Sequence, residues 1–148
     1  MLQIEVPSKE YFDEVSNEFI TIKGRKILLE HSLISLSKWE SKYHKPFMNK
    51  DKTIEEFRYY IKCMSIDNNI DDVIYYNIDE SLMIKVKDYM DDPMTATWFS
   101  SNDKTSPNSE VITSEIIYYW MISLNIPKEC EKWHLNRLLT LIRVCSIK

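Results

Sequence analysis

Cys130 and His134 stand four residues apart. On a helix that step puts both side chains on one face, a spacing that can hold a metal ion. A structural zinc needs two further ligands, and the remaining thiols and imidazoles supply no second short-spaced pair, so core packing is the favoured reading of Cys130 and His134. Nucleophilic catalysis by a Cys/His couple needs a polar cleft and an orienting acid. Cys63 and Cys130 qualify only if the fold carries suitable neighbours to them. Asp71-Asp72 and Asp91-Asp92 are adjacent carboxylate pairs, but neighbouring side chains diverge, and both pairs flank expected helix ends. They read as solvated caps, and neither stretch has the ligand order of an EF-hand. Lys38, Lys42, Lys45, Lys50 and Lys52 form the most basic stretch. Glu40 and Asp51 dilute it, which favours a solvated face over a phosphate-binding stripe.

Counting narrows the chemistry further. The chain has 148 residues and a single glycine, which excludes glycine-rich phosphate cradles and dinucleotide fingerprints. Charged residues make up 28% and the net charge is −4, a balance that argues against non-specific DNA binding. Three cysteines in apolar helical contexts fit buried free thiols in a reducing compartment. The first residues lack a basic region followed by an apolar core, and no apolar run reaches the length of a membrane span. Synthesis and residence in the cytoplasm are therefore expected, with no cofactor, no metal and no membrane or nucleic-acid partner.

The elements that must position these groups are mostly helical. The expected fold is mainly α, a helical domain of about five to six helices over 31–148. A β arm over 1–30, a short hairpin or three-stranded sheet, packs on it or extends from it. Leu2–Val6 alternates as a short strand ending at Pro7, and the polar stretch after it reads as a helical turn. Phe19–Ile22 and Lys26–Leu29 read as a hairpin turning at Gly24 with positive φ. Ser32 caps a helix with Leu33, Leu36, Trp39 and Tyr43 as its apolar stripe, Ser35 and Glu40 lying on the solvated side. Thr53-Ile-Glu-Glu56 is a capping box opening a helix to about Met64, with Ile54, Phe57, Tyr60, Ile61 and Met64 inward. Asp67–Asn77 reads as a polar bend. Asp79 caps a helix from Glu80 to Met90 showing Leu82, Met83, Val86, Tyr89 and Met90. The densest apolar region is 113–148. There Thr113 caps one helix that ends at Asn125, and Pro127 starts a second, read as the central core helix carrying Cys130, His134, Leu135, Leu138 and Ile142.

Four Trp, nine Tyr and seven Met are the remaining excess. Core filling accounts for most of it, yet Met-rich surfaces also repack around varied apolar helices. Trp39, Tyr43, Trp98, Phe99, Tyr118 and Tyr119 are the candidate partner-contacting residues. Trp98 and Phe99 stand out because they lie in the longest irregular segment, 94–110, beside a serine, asparagine and proline tract.

Three stretches resemble small proteins encoded in the tail modules of long-tailed bacteriophages and prophages. They are Glu30-His-Ser-Leu-Ile-Ser-Leu-Ser-Lys-Trp-Glu-Ser-Lys42, Asp92-Pro-Met-Thr-Ala-Thr-Trp98, and nearly all of Ile112 to Lys148. The resemblance runs from about residue 28 onward, and it connects the chain with tail assembly chaperones. What it implies is a non-enzymatic protein of the host cytoplasm. Such a protein binds apolar helical segments of the tape-measure protein, or other tail proteins, and can form homo-oligomers. The alternative is a structural tail or head–tail connector subunit kept in the virion. No catalytic, ligand or metal residue is implied.

Overall fold

The computed structural model describes residues 1–48, 52–67, 69–97 and 112–147. Residues 2–29 form one long antiparallel ribbon of four strands: β1 (Leu2–Val6), β2 (Lys9–Asp13), β3 (Glu18–Ile22) and β4 (Arg25–Leu29). The expected pairing of the third and fourth strands is corrected. β1 pairs with β4, and β2 with β3. The register is continuous, Val6 opposite Arg25 and Lys9 opposite Ile22, so Pro7-Ser8 faces Lys23-Gly24 at an interruption. Pro7 brings no N–H to the ladder. Gly24 does not turn the chain and has no positive φ. It is small because a Cβ there would collide with the Val6 carbonyl oxygen and lie 2.6 Å from the Pro7 carbonyl carbon. Its N–H donates to Ser8 Oγ at 2.9 Å. The actual turn is at 14–17, where Asp13 Oδ1 accepts from Val15 N–H and Asn17 takes φ 56°. The expected helical turn after Pro7 is thus strand β2.

The two halves of the ribbon differ. Ile4, Val6, Ile27 and Leu29 of the inner half are buried, whereas Phe12, Val15, Phe19 and Ile20 of the outer half are exposed. Backbone bonds from Glu30 N–H to the Met64 carbonyl and from Ile66 N–H to the Leu28 carbonyl, both 3.0 Å, fasten β4 to the end of a helix. This satisfies the inner edge that a two-stranded ribbon leaves open.

Six α-helices follow among the described residues: α1 (Leu33–Tyr43), α2 (Ile54–Met64), α3 (Asp72–Tyr76), α4 (Glu80–Asp91), α5 (Ser114–Ser123) and α6 (Leu135–Ile147). About 52% of the described residues are helical and 16% strand, so the fold is helix-rich with a substantial β part. None of these helices is long and apolar enough to cross a membrane. Every expected N-cap holds: Ser32, Thr53, Asp79 and Thr113 each accept from a first-turn N–H. The bend at Asp67–Asn77 contains α3, capped by Asp71. α5 ends in a Schellman turn. Asn125 takes φ 56°, and the Ile126 N–H donates to the Met121 carbonyl at 2.8 Å.

The single helix expected from Pro127 onward is two elements. A 3-10 turn spans Lys128–Lys132, and α6 begins only at Leu135. The break has a cause in His134. Its Nδ1 accepts from Asn136 N–H at 3.2 Å, so the imidazole caps α6. Its Nε2–H donates to the Tyr89 carbonyl at 2.9 Å, while Asn136 Nδ2 donates to the carbonyls of Met90 and Asp92. The first turn of α6 thereby satisfies carbonyls that the end of α4 leaves without helical partners.

Two polar residues expected in solvent are structural. Ser35 is buried, its Oγ accepting from Ser32 N–H. Glu40 accepts from Ser114 N–H and Oγ–H through Oε1, at 2.8 and 2.7 Å, and from Phe47 N–H through Oε2. A carboxylate thus stands at the N-terminus of α5, where the helix dipole favours it.

Candidate functional site

Between α2 and α4 the helices part to leave an open cleft of about 760 Å³. α4 carries one apolar stripe, with Ile84 apart from it among charged residues, and its two sides do different things. Val86 is buried, with Leu82 and Tyr89 on the same side. Glu80, Met83, Ile84, Lys87 and Asp91 recur at helical spacing along the cleft wall. Thr53, Ile54 and Phe57 line it from the start of α2, together with Phe47, Met48 and Lys52 from the segment before that helix. Leu135, Asn136 and His31 lie beneath. Ile54 was expected to face the core but is 67% exposed, and Ile84 is 56% exposed. Both belong to the cleft, which has an apolar interior with charges of both signs along it.

The floor is held by a hydrogen-bond chain whose direction follows from counting protons. Ser35 Oγ–H donates to the Ser32 carbonyl at 2.7 Å, so that oxygen has no second proton to give. Tyr60 Oη–H therefore donates to Ser35 Oγ at 3.0 Å, and His31 Nδ1–H donates to Tyr60 Oη at 2.6 Å. This assignment leaves every close contact with a proton between its atoms, and leaves His31 Nε2 as a lone pair. Burial pushes the imidazole pKa down to about 3, with repulsion from His134 and Lys52 adding to the shift. Burial likewise raises the Tyr60 phenol. Phe47 stacks on Tyr60 at 4.0 Å, with Lys52 Nζ 3.8 Å from its ring centre.

The residues singled out from the sequence are dispersed. Trp39 corrects the expectation of a contact residue, because it is 1% exposed and donates Nε1–H to the Glu56 carbonyl. Tyr43 is half-buried against Trp39 and Tyr59. Tyr118 is half-buried and donates to Glu131 Oε2 at 2.8 Å, whereas Tyr119 is exposed on α5. Trp98 and Phe99 lie outside the described residues, as do Lys50 and Asp51.

The chemical candidates also separate. Cys130 sits in the 3-10 turn and His134 caps α6, so they share no helix face. No group of three or more metal-ligating side chains comes together among the described residues. Burial pushes the Cys63 thiol up to about 11 and raises that of Cys130, the opposite of what activates a nucleophile. Asp71 caps α3, Asp72 pairs with Lys62 at 2.7 Å, and Asp92 accepts from Met94 N–H.

Met83 and Met90, read from the sequence as part of the apolar surface of α4, pack against the core and also line the cleft, whereas Ile84 is not singled out by that reading. A usable signal existed, since Ile84 lies off the stripe that Leu82, Val86 and Tyr89 define. No family model, curated protein or solved structure matches this chain.

Proposed function

We propose that the chain is a non-enzymatic tail assembly chaperone of a long-tailed phage, acting in the host cytoplasm. Its α2–α4 cleft binds apolar helical segments of the tape-measure protein. The observation that carries the reading is the cleft's composition. Met48, Met83 and Met90 line it beside Phe57, Ile54 and Ile84, and unbranched methionine adapts to ligand side chains of different shape. An amphipathic helix laid in such a groove is anchored at i, i+3 or i+4, and i+7. Three anchors contribute about 1.5–3 kcal/mol each before the cost of association is subtracted. That range suits reversible capture, which a chaperone requires.

Co-expression with the tape-measure protein should raise the soluble fraction of that protein, and Ile84→Asp combined with Ile54→Asp should abolish the gain. Both side chains are largely exposed, so circular dichroism and thermal unfolding should stay close to wild type. Tape-measure protein that precipitates equally with and without the chain would defeat the proposal. A second reading, a structural subunit retained in the virion, draws on the exposed outer ribbon. Mass spectrometry of purified virions separates the two, because only a subunit is carried into the particle.

A further inference from the structure

We propose that the outer edge of β2 pairs antiparallel with the same edge of a second copy of this chain, joining two ribbons into a four-stranded sheet. The surface is remote in sequence from the cleft and is carried by different observations.

The first is an unused edge. Among the described residues, no backbone group of Leu2–Asp13 bonds outside the ribbon, whereas β4 on the other arm is covered by the Met64–Ile66 segment. A free edge presents N–H and C=O groups ready for another strand.

The second is apolar exposure. Phe12 and Phe19 pack edge to face at 5.2 Å and remain 51% and 69% exposed. Two strands with one solvated apolar face are marginal alone. A third observation concerns pose: Tyr11 Oη–H donates to Asn77 Oδ1 at the end of α3, which holds the outer ribbon to the body.

Charge selects the occupant. β2 reads Lys9-Glu10-Tyr11-Phe12-Asp13, and antiparallel self-pairing about Tyr11 sets Lys9 of each copy opposite the second copy's Asp13. Directly opposed residues share a face of the sheet, so two complementary pairs flank two apposed tyrosines. On the other face the two Phe12 side chains are diagonal neighbours, extending the Phe12–Phe19 cluster across the seam. Self-pairing of β3 (Glu18–Ile22) offers no complementary charge pair. Glu10, Asp13, Glu14 and Glu18 around the exposed rings oppose an anionic lipid surface.

Sedimentation velocity and light scattering on the full chain test this through mixing. The wild type should be a dimer. Lys9→Asp makes both cross-copy pairs acidic, and Asp13→Lys makes both basic. Each variant alone should self-associate roughly tenfold more weakly or worse. Mixed in equal amounts the two variants are complementary again, and a heterodimer should form at wild-type affinity. Asp13 also braces the 14–17 turn, so circular dichroism of each variant accompanies the measurement. If turn loss weakens Asp13→Lys, Asp13→Asn replaces it: its amide oxygen still accepts from Val15 N–H, it should self-associate more weakly than the wild type, and mixing it with Lys9→Asp restores one of the two opposite-charge pairs and should recover association. A monomeric wild type, single variants that dimerise normally, or well-folded variants that fail to associate on mixing would each overturn the proposal.

Discussion

His31 shows how one buried side chain ties acidity to stability. Its imidazole is 4% exposed, gives its Nδ1 proton to Tyr60, and has a pKa near 3 in place of the ordinary 6.5. Between those values the unfolded chain binds a proton that the folded chain refuses. The contribution of this residue is therefore complete above pH 6.5 and is lost as pH falls from 6.5 towards 3. The slope approaches about 1.4 kcal/mol per pH unit once the unfolded imidazole is fully protonated. Urea unfolding at pH 7 and pH 5 should show the wild type losing about 1–2 kcal/mol more than His31→Asn, whose amide can still donate to Tyr60 but cannot titrate. Equal losses in the two proteins would mean that His31 takes up its proton without unfolding. Sequence alone gave this residue no weight. A lone histidine beside a helix cap carries no pattern, and its environment comes from Tyr60, His134 and Lys52, which are distant in sequence.

At the scale of elements, local signals were legible wherever the physics is local. Ser32, Thr53, Asp79 and Thr113 each bond within their own first turn, so the residue types suffice to locate α1, α2, α4 and α5. Pairing and interruption were not legible. Gly24 looked like a turn because glycine serves both positive φ and close approach, and only the opposing strand decides which. The break before α6 was hidden because the apolar period continues through Cys130, His134 and Leu138. The tertiary bonds of His134 and Asn136 to α4 override it. Glu40 is a comparable case, reading as solvated while serving three donors. Glu40→Ala would strand Ser114 N–H and Oγ–H, which are buried, and should cost about 2–4 kcal/mol in chemical denaturation. Glu40→Gln keeps one carbonyl oxygen for Ser114 and should retain more than half of that stability. If alanine and glutamine are equally mild, the carboxylate does not hold α5 in place.

On the scale of the molecule, the ribbon divides at Pro7 and Gly24 into a part that folds the protein and a part that the protein carries. Ile4, Val6, Ile27 and Leu29 join the core made by α1, α2 and α6, whereas most large side chains beyond the interruption face solvent. The continuous register means that 8–23 can be replaced by an Asn-Gly turn, leaving β1 opposite β4 as before. The shortened chain loses the Tyr11–Asn77 bond and the partial burial of Ile22, and it also sheds a loop whose closure entropy opposed folding. Its thermal midpoint should lie within about 5 °C of the wild type, with the α-helical circular dichroism retained. Ile27→Ala leaves the ribbon at full length but opens a cavity in the core, at a cost of about 2–5 kcal/mol, and should lower the midpoint by roughly 5–15 °C. Should the shortened chain instead unfold like Ile27→Ala or worse, the outer half would be part of the folding unit. Its exposed phenylalanines would then have to be explained within a single copy.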